Sequence, residues 1–248
     1  MPDNAKAPAQ ALIDVENLSK AFGLRFALRG VTFQIPRGQV VALLGPNGSG
    51  KTTLLRTLSA LSSPTSGRIT IGGWSLPREA GAVRGQLGVV GHLPLLYDDL
   101  SAAENLHVFA TLYNLPAEIG KAALAERIKT GLARVGLAKR AEDRARTFSR
   151  GMLQRLALAR AMLHDPAVLL LDEPYTGLDA PGIALLDGLI AEWRAAGKTV
   201  IAALHDIPRA AQTCERALIL SGGRLAADVQ TAEVPDLLAL FTQLAVPQ

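Results

Sequence analysis

Eight consecutive residues, Gly45-Pro46-Asn47-Gly48-Ser49-Gly50-Lys51-Thr52, fit the spacing G-x-x-x-x-G-K-[ST]. Glycines at those positions let the backbone curl so that successive N–H groups point at one anion. A helix starting near Lys51 adds the positive end of its dipole. Lys51 brings a mobile full charge for outer phosphates, and Thr52 a hydroxyl suited to Mg²⁺. The chemistry implied is the binding of a nucleoside polyphosphate. The competing explanation is an accidental glycine-rich turn. The flanks argue against it, because the apolar run Val40 to Leu44 precedes the loop and good helix formers come after it.

Two carboxylates close another apolar run, Val168-Leu169-Leu170-Leu171-Asp172-Glu173. Asp172 is placed to hold Mg²⁺, and Glu173 to orient and deprotonate an attacking water. Alone, such a pair could be a strand reaching solvent; beside a phosphate loop it reads as a hydrolytic site. His205 follows a third apolar run, Thr199 to Leu204. It could sense a terminal phosphate or be structural.

These residues need strands to end where they stand. Val40 to Leu44, Val168 to Leu171 and Thr199 to Leu204 read as buried strands. Leu12, Ile13 and Val15, then Val31, Phe33 and Ile35, and later Ile69 and Ile71, read as half-buried strands at period two. Helices are expected over Thr52 to Leu61 and from Gly151 onward. Ser101-Ala102-Ala103-Glu104 has the spacing of a capping box, with a helix to about Leu115 where Pro116 should break it. A second helix is expected from about Glu118 to Val135, ended by Gly136. No strand pattern appears between about Tyr97 and Ser149, which predicts a helical subdomain over about 97–150 inserted in an α/β core. A hairpin is expected at Ser221-Gly222-Gly223-Arg224. Residues 1–10 are expected to be a flexible terminus, and 11–248 one domain.

The chain has 248 residues, of which 49% are apolar, enough to bury a full core. No apolar run approaches a bilayer span, and the first ten residues lack the pattern of a signal peptide. The expected place is the cytosol, or the membrane surface if another protein holds it there. The single cysteine, Cys214, excludes an internal disulfide and reads as a small buried hydrophobe. A net charge of +4 points weakly to anionic partners and selects none.

In order along the chain, the phosphate loop, helical insert, Ser149-Arg150-Gly151, acidic strand end, Gly177-Leu178-Asp179 and His205 resemble the ATP-binding-cassette (ABC) family of ATPases. The resemblance runs from about Leu12 onward. It implies a P-loop NTPase (RecA-like) fold: a mostly parallel sheet core, an antiparallel β subdomain and an inserted α-helical subdomain. It implies ATP and Mg²⁺ as cofactors, with Thr53 joining Gly45 to Thr52 in the nucleotide site. It makes Phe22 the aromatic that stacks on adenine, with a core aromatic as the alternative. Ser149 and Gly151 would meet the ATP held by a second subunit. Glu173 would be the base, Asp179 a link between the two sites, and His205 the switch histidine. The implied partners are integral-membrane subunits and a second cassette, as homodimer or heterodimer, at the cytoplasmic face of the inner membrane. No nucleic acid is expected.

Two positions depart from the family pattern. The signature reads Phe148-Ser149-Arg150-Gly151-Met152, where Arg150 either adds a cation beside the phosphate or faces solvent. His92 stands where a glutamine usually touches Mg²⁺ and water, and would make activity more sensitive to pH. Gly91-His92, Leu95-Leu96-Tyr97-Asp98-Asp99-Leu100 with Glu104-Asn105-Leu106, and Thr147 to Met152 are similar to the haem exporter ATPase of cytochrome c maturation. Other readings are an exporter of drugs or polysaccharide, a soluble cassette acting on ribosomes or DNA, and a P-loop kinase. The kinase leaves Ser149-Arg150-Gly151 and His205 unexplained. The segment from His92 to about Asn105 is the expected docking surface for a membrane partner.

Overall fold

A largely apolar strand buried at every position needs both faces covered, and three such strands make the centre of the molecule. The structure, a computed structural model, describes residues 11–245; residues 1–10, expected to be a flexible terminus, lie outside the described residues. The chain opens with β1 (Ile13–Phe22), β2 (Arg25–Ile35), β3 (Val40–Leu44), α1 (Lys51–Leu58), β4 (Ser66–Ile71) and β5 (Trp74–Leu76). Next come α2 (Ala80–Gly85), β6 (Leu87–Val90), α3 (Ala102–Leu112), α4 (Leu115–Ile119), α5 (Lys121–Arg134) and α6 (Arg150–Met162). It closes with β7 (Val168–Asp172), α7 (Ala180–Ala195), β8 (Thr199–Ala203), α8 (Ile207–Thr213), β9 (Arg216–Ser221), β10 (Arg224–Gln230) and α9 (Leu237–Ala245).

The strands form two sheets, one ordered β10-β9-β3-β8-β7-β6 and the other β2-β1-β4-β5. In the first, β9, β3, β8, β7 and β6 pair in parallel, and β10 joins antiparallel through the hairpin at Gly222-Gly223. The second sheet is antiparallel throughout. This is the expected α/β cassette. Every residue of β3, β7 and β8 is buried. Pleating sends Val40, Ala42 and Leu44 into one apolar core and Val41 and Leu43 into another. The first core packs the large sheet on α6, α7 and the helices of the 97–150 region, through Leu156, Leu186, Trp193, Leu106 and Leu124. The second packs it on α1 and the small sheet, through Leu54, Leu58, Val15, Leu28 and Ile35. Cys214 is buried just past the end of α8, and burial pushes its thiol up to about 11.

The helical region is fixed by its ends. Ser101 Oγ accepts from the Glu104 N–H at 3.1 Å, and Glu104 Oε2 accepts from the Ser101 N–H at 2.7 Å. Such a cap contributes about 1 kcal/mol. Asn105, with no exposed surface, clamps the preceding loop. Its Oδ1 accepts from the Tyr97 N–H at 2.8 Å, and its Nδ2 donates to the Tyr97 and Ser101 carbonyls at 3.0 and 2.9 Å. At the end of α5, the Leu137 N–H reaches the Leu132 carbonyl and the Gly136 N–H the Ala133 carbonyl, with Gly136 at φ 70. That is a Schellman closure around a left-handed glycine.

Several expected boundaries move. Pro116 does not end a helix; α3 stops at Leu112, and Pro116 sits in the first turn of α4, where its missing N–H costs nothing. The helix expected from Glu118 to Val135 is divided at Gly120, whose backbone (φ 80, ψ 161) is not helical. The helix after the glycine loop ends at Leu58 rather than Leu61, because Ala60 turns left-handed at φ 57. Asn105, expected on a docking surface, is buried in its clamp.

Just past α6, His164 stacks on Tyr113, with centroids 3.7 Å apart. Burial pushes its imidazole down to about 4, with Asp165, Lys198 and Arg160 as the charged groups facing it. In an unfolded chain the same ring titrates near about 6.5. Between those values the unfolded state takes up a proton that the folded state refuses. Stability from this group is therefore complete above about pH 6.5 and falls as pH descends toward about 4. The expected result is that urea midpoints of the native chain drop more than those of His164→Phe between about pH 7 and about pH 5. Equal drops would show that His164 does not carry the dependence.

Candidate functional site

Register brings the chemistry together. Leu43 of β3 and Asp172 of β7 both lie opposite Ala203 of β8. The three central strands therefore finish level, and the loops that leave them emerge at one rim of the sheet. Gly45 to Thr52 comes after β3, Glu173 after β7, and His205 lies just beyond β8. Open α/β sheets bind ligands at this carboxyl end.

The glycine loop is held from behind. The Gly223 N–H donates to the Ser49 carbonyl at 3.2 Å, and the Arg29 N–H to the Gly223 carbonyl at 2.8 Å. The hairpin turn between β9 and β10 thus wedges the loop against β2. Gly45, Gly48 and Gly50 take φ values of 155, 77 and 108. A Cβ on Gly50 would lie 2.6 Å from the Ala27 carbonyl oxygen, so both backbone and space demand glycine there. Lys51 is 7% exposed and donates from Nζ to the Gly45 carbonyl at 2.7 Å and the Pro46 carbonyl at 3.2 Å. Burial lowers the pKa of its ammonium, while Glu173 and Asp172 pull it back up.

Thr52 Oγ1 donates to Asp172 Oδ1 at 3.5 Å. Burial raises the Asp172 carboxyl above its usual range, with the Thr52 hydroxyl opposing. A carboxylate desolvated in this way gains most from a cation. Two hard oxygen donors side by side fit Mg²⁺, which takes one or two protein oxygens and completes its shell with phosphate and water. Among the described residues no group of three or more His, Cys, Asp or Glu side chains could hold a metal ion.

Glu173 sits at φ 52, a left-handed conformation that costs a non-glycine residue about 1 kcal/mol or more. Its Oε1 accepts from His205 Nε2 at 2.7 Å and its Oε2 from Thr176 Oγ1 at 3.4 Å. The His205 hydrogen bond is the main cause that holds the Glu173 carboxyl below its ordinary value, against desolvation. His92 and Arg150 line a cleft with Asp172, Glu173 and Thr176.

The other candidates lie apart from this centre. Phe22 is 60% exposed at the β1–β2 hairpin, which removes the core alternative, and Lys20 Nζ stands 5.0 Å from its ring centroid. Ser149 caps α6 by accepting from the Met152 N–H at 3.3 Å, and Asp179 caps α7 by accepting from the Gly182 N–H at 3.0 Å. A Cβ on Gly151 would stand 2.9 Å from the Gly177 carbonyl oxygen, so the two capped helix starts adjoin. Arg150 lays its side chain over Gly177: a Cβ there would meet its Cγ and Cδ at 2.8 Å.

Residues beyond those expected from sequence support the loop after Glu173. Gln154 Nε2 donates to the Pro174 carbonyl at 3.1 Å. Tyr175 donates to Asp187 Oδ1 at 2.6 Å, Arg209 to Asp187 Oδ2 at 2.7 Å, and the Arg209 guanidinium lies 4.9 Å from the Tyr175 centroid. Their separation along the chain left no spacing signal; only the adjacency of Tyr175 to Asp172-Glu173 could have flagged it.

A family model described as "ABC transporter" matches residues 28–176. The chain is 35% identical over 213 residues to the Nod factor export ATP-binding protein I of Ralstonia nicotianae, covering 86% of this chain and 65% of that one. It is 37% identical over 220 residues to the daunorubicin resistance ATP-binding protein DrrA3 of Streptomyces coeruleorubidus, covering 89% and 68%. It thus spans about two thirds of the length of these relatives. A dimeric ATP-binding cassette solved in a post-hydrolysis state with ADP and Pi superposes with a TM-score of 0.79 at 27% identity, covering 88% of this chain and 98% of that one.

Proposed function

This chain belongs to the ABC transporter family of ATP-binding subunits, and from that premise we propose that it hydrolyses ATP to drive an integral-membrane exporter partner. The observation that carries the reading is the common rim at which the glycine loop, the Thr52–Asp172 pair and the His205–Glu173 pair meet. Lys51 exchanges the Gly45 and Pro46 carbonyls for phosphate oxygens, and the loop N–H groups hold the rest of the chain of phosphates. Thr52 and Asp172 would hold Mg²⁺, with His92 facing the same cleft, and the ion would supply positive charge to the phosphate oxygens. Glu173, kept ionised by His205, takes a proton from water as the water oxygen bonds to the terminal phosphorus. The bond to the bridging oxygen breaks, giving ADP and phosphate.

Phe22 offers its open face to the adenine ring. Ser149 and Gly151, at the start of α6, meet the nucleotide of a second cassette, and Asp179 on the adjoining helix links the two sites. The similar cassette solved as a dimer with ADP and Pi supports a second cassette as partner. Among the described residues no helix is long and apolar enough to cross a membrane. Leu93, Leu95 and Tyr97, respectively 68%, 56% and 51% exposed, support docking of a membrane partner on the loop after His92.

The relatives named for Nod factor export and daunorubicin resistance support an exporter. Haem export for cytochrome c maturation is the second reading, favoured by Gly91-His92 and the Thr147 to Met152 stretch. Purification of the chain from detergent-solubilised membranes tests both. An integral-membrane protein is expected to copurify, and a visible haem band in that complex would select the second cargo. Recovery with ribosomes or nucleic acid and no membrane protein would overturn the reading.

A further inference from the structure

Among the described residues, strand β6 ends the six-stranded sheet, with β7 on one side and no strand on the other. Its Leu87 and Val89 carbonyls are not left to water. Arg160 Nη2 donates to the Val89 carbonyl at 2.6 Å, and His164 Nε2 to the Leu87 carbonyl at 3.1 Å. The spacing explains why Arg160 in α6 and His164 just past its end can serve both. Carbonyls two residues apart on a strand stand about 6.6 Å apart, and side chains four residues apart on a helix about 6 Å.

A third layer repeats the match. The Phe109 ring centroid of α3 lies 5.0 Å from the Arg160 guanidinium, and Tyr113, the C-cap residue just past α3, stacks on His164 at 3.7 Å. Phe109 and Tyr113 are again four residues apart. The result is two parallel rungs, Phe109–Arg160–Val89 and Tyr113–His164–Leu87, joining α3, α6 and β6. The strand is pressed hard on the helix between them: a Cβ at Gly88 would lie 2.3 Å from the Ala161 carbonyl oxygen. Arg160 is 8% exposed, so its one strong bond to Val89 is made away from solvent, where it is worth more. Val90 is the last residue of β6, and His92 comes two residues later.

We propose that Arg160 and His164 are positioning residues for His92: they lock the strand that delivers it to α6, the helix that Ser149 caps, so that the hydrolysis cleft is assembled from one rigid piece. The proposal rests on the reading that His92 serves that cleft.

A double-mutant cycle on the full chain tests it, with kcat and KM for ATP as readouts. Arg160→Met keeps the apolar stem and removes the donor to Val89. It is expected to lower kcat about tenfold with KM nearly unchanged. In a His92→Ala background, itself slower than native, the same change should cost nothing further, because its route of action is gone. An equal fold-loss in both backgrounds overturns the inference and leaves the role of His92 standing. Native kcat for His92→Ala overturns that role and the positioning with it. If Arg160→Met does not fold, His164→Phe enters the same cycle; it retains the stack on Tyr113 and loses only the bond to Leu87. Native kcat in a folded variant of either kind also overturns the inference.

Discussion

Glu173→Gln binds ATP as the native chain does and turns it over about a hundred- to ten-thousandfold more slowly, the range that loss of a general base produces. The substitution is selective because it leaves the local structure in place. A glutamine carbonyl oxygen can still accept the His205 N–H in place of Oε1, held at 2.7 Å in the native chain, and its NH2 can donate to the Thr176 hydroxyl in place of Oε2, held at 3.4 Å. The left-handed backbone at φ 52 costs glutamine what it costs glutamate. Only the basicity disappears. A variant that binds but cannot hydrolyse should accumulate as an ATP-bound dimer on size exclusion. Turnover within about threefold of native would remove Glu173 as the base.

Lys51→Ala loses most of its affinity for ATP, by about ten- to a hundredfold in Kd, the worth of charge-assisted hydrogen bonds to phosphate. The Nζ is folded onto the Gly45 and Pro46 carbonyls, so the buried ammonium already points into the loop it would share with the phosphates. Burial lowers its pKa and the Asp172 and Glu173 carboxylates restore part of the charge. A phosphate chain would restore more. Calorimetric titration of ATP into the variant measures the effect, with its melting temperature as a control for folding. Unchanged affinity in a folded variant would contradict the assignment of the loop.

Much of this was readable in the residues because the signals are local. The runs in β3, β7 and β8 are buried at every position, which only a doubly covered sheet allows, and the glycine loop has fixed spacing. The capping box at Ser101 and the left-handed Gly136 are likewise short-range devices. Strand β6 was not legible. It is four residues long, and Gly88, which reads as a breaker, is there because Ala161 comes too close for any side chain. The end of α3 was misplaced because Pro116 carries two meanings, a stop within a helix and a start in its first turn. The partners of Arg160 and His164 lie 71 and 77 residues away along the chain, beyond any periodicity. The hydrogen bond between His205 and Glu173 spans 32 residues, and only the resemblance to a known family put the two in one place beforehand.

Because the Leu87 and Val89 carbonyls are already taken, a foreign peptide laid along β6 would find no acceptors to template on, and cross-chain polymerisation from that border is blocked. At the opposite border β10 exposes Arg224, Ala226, Asp228 and Gln230 in alternation, a charged fringe that discourages the same addition. Crowded copies of the chain are thus kept from knitting together through the two borders of the six-stranded sheet.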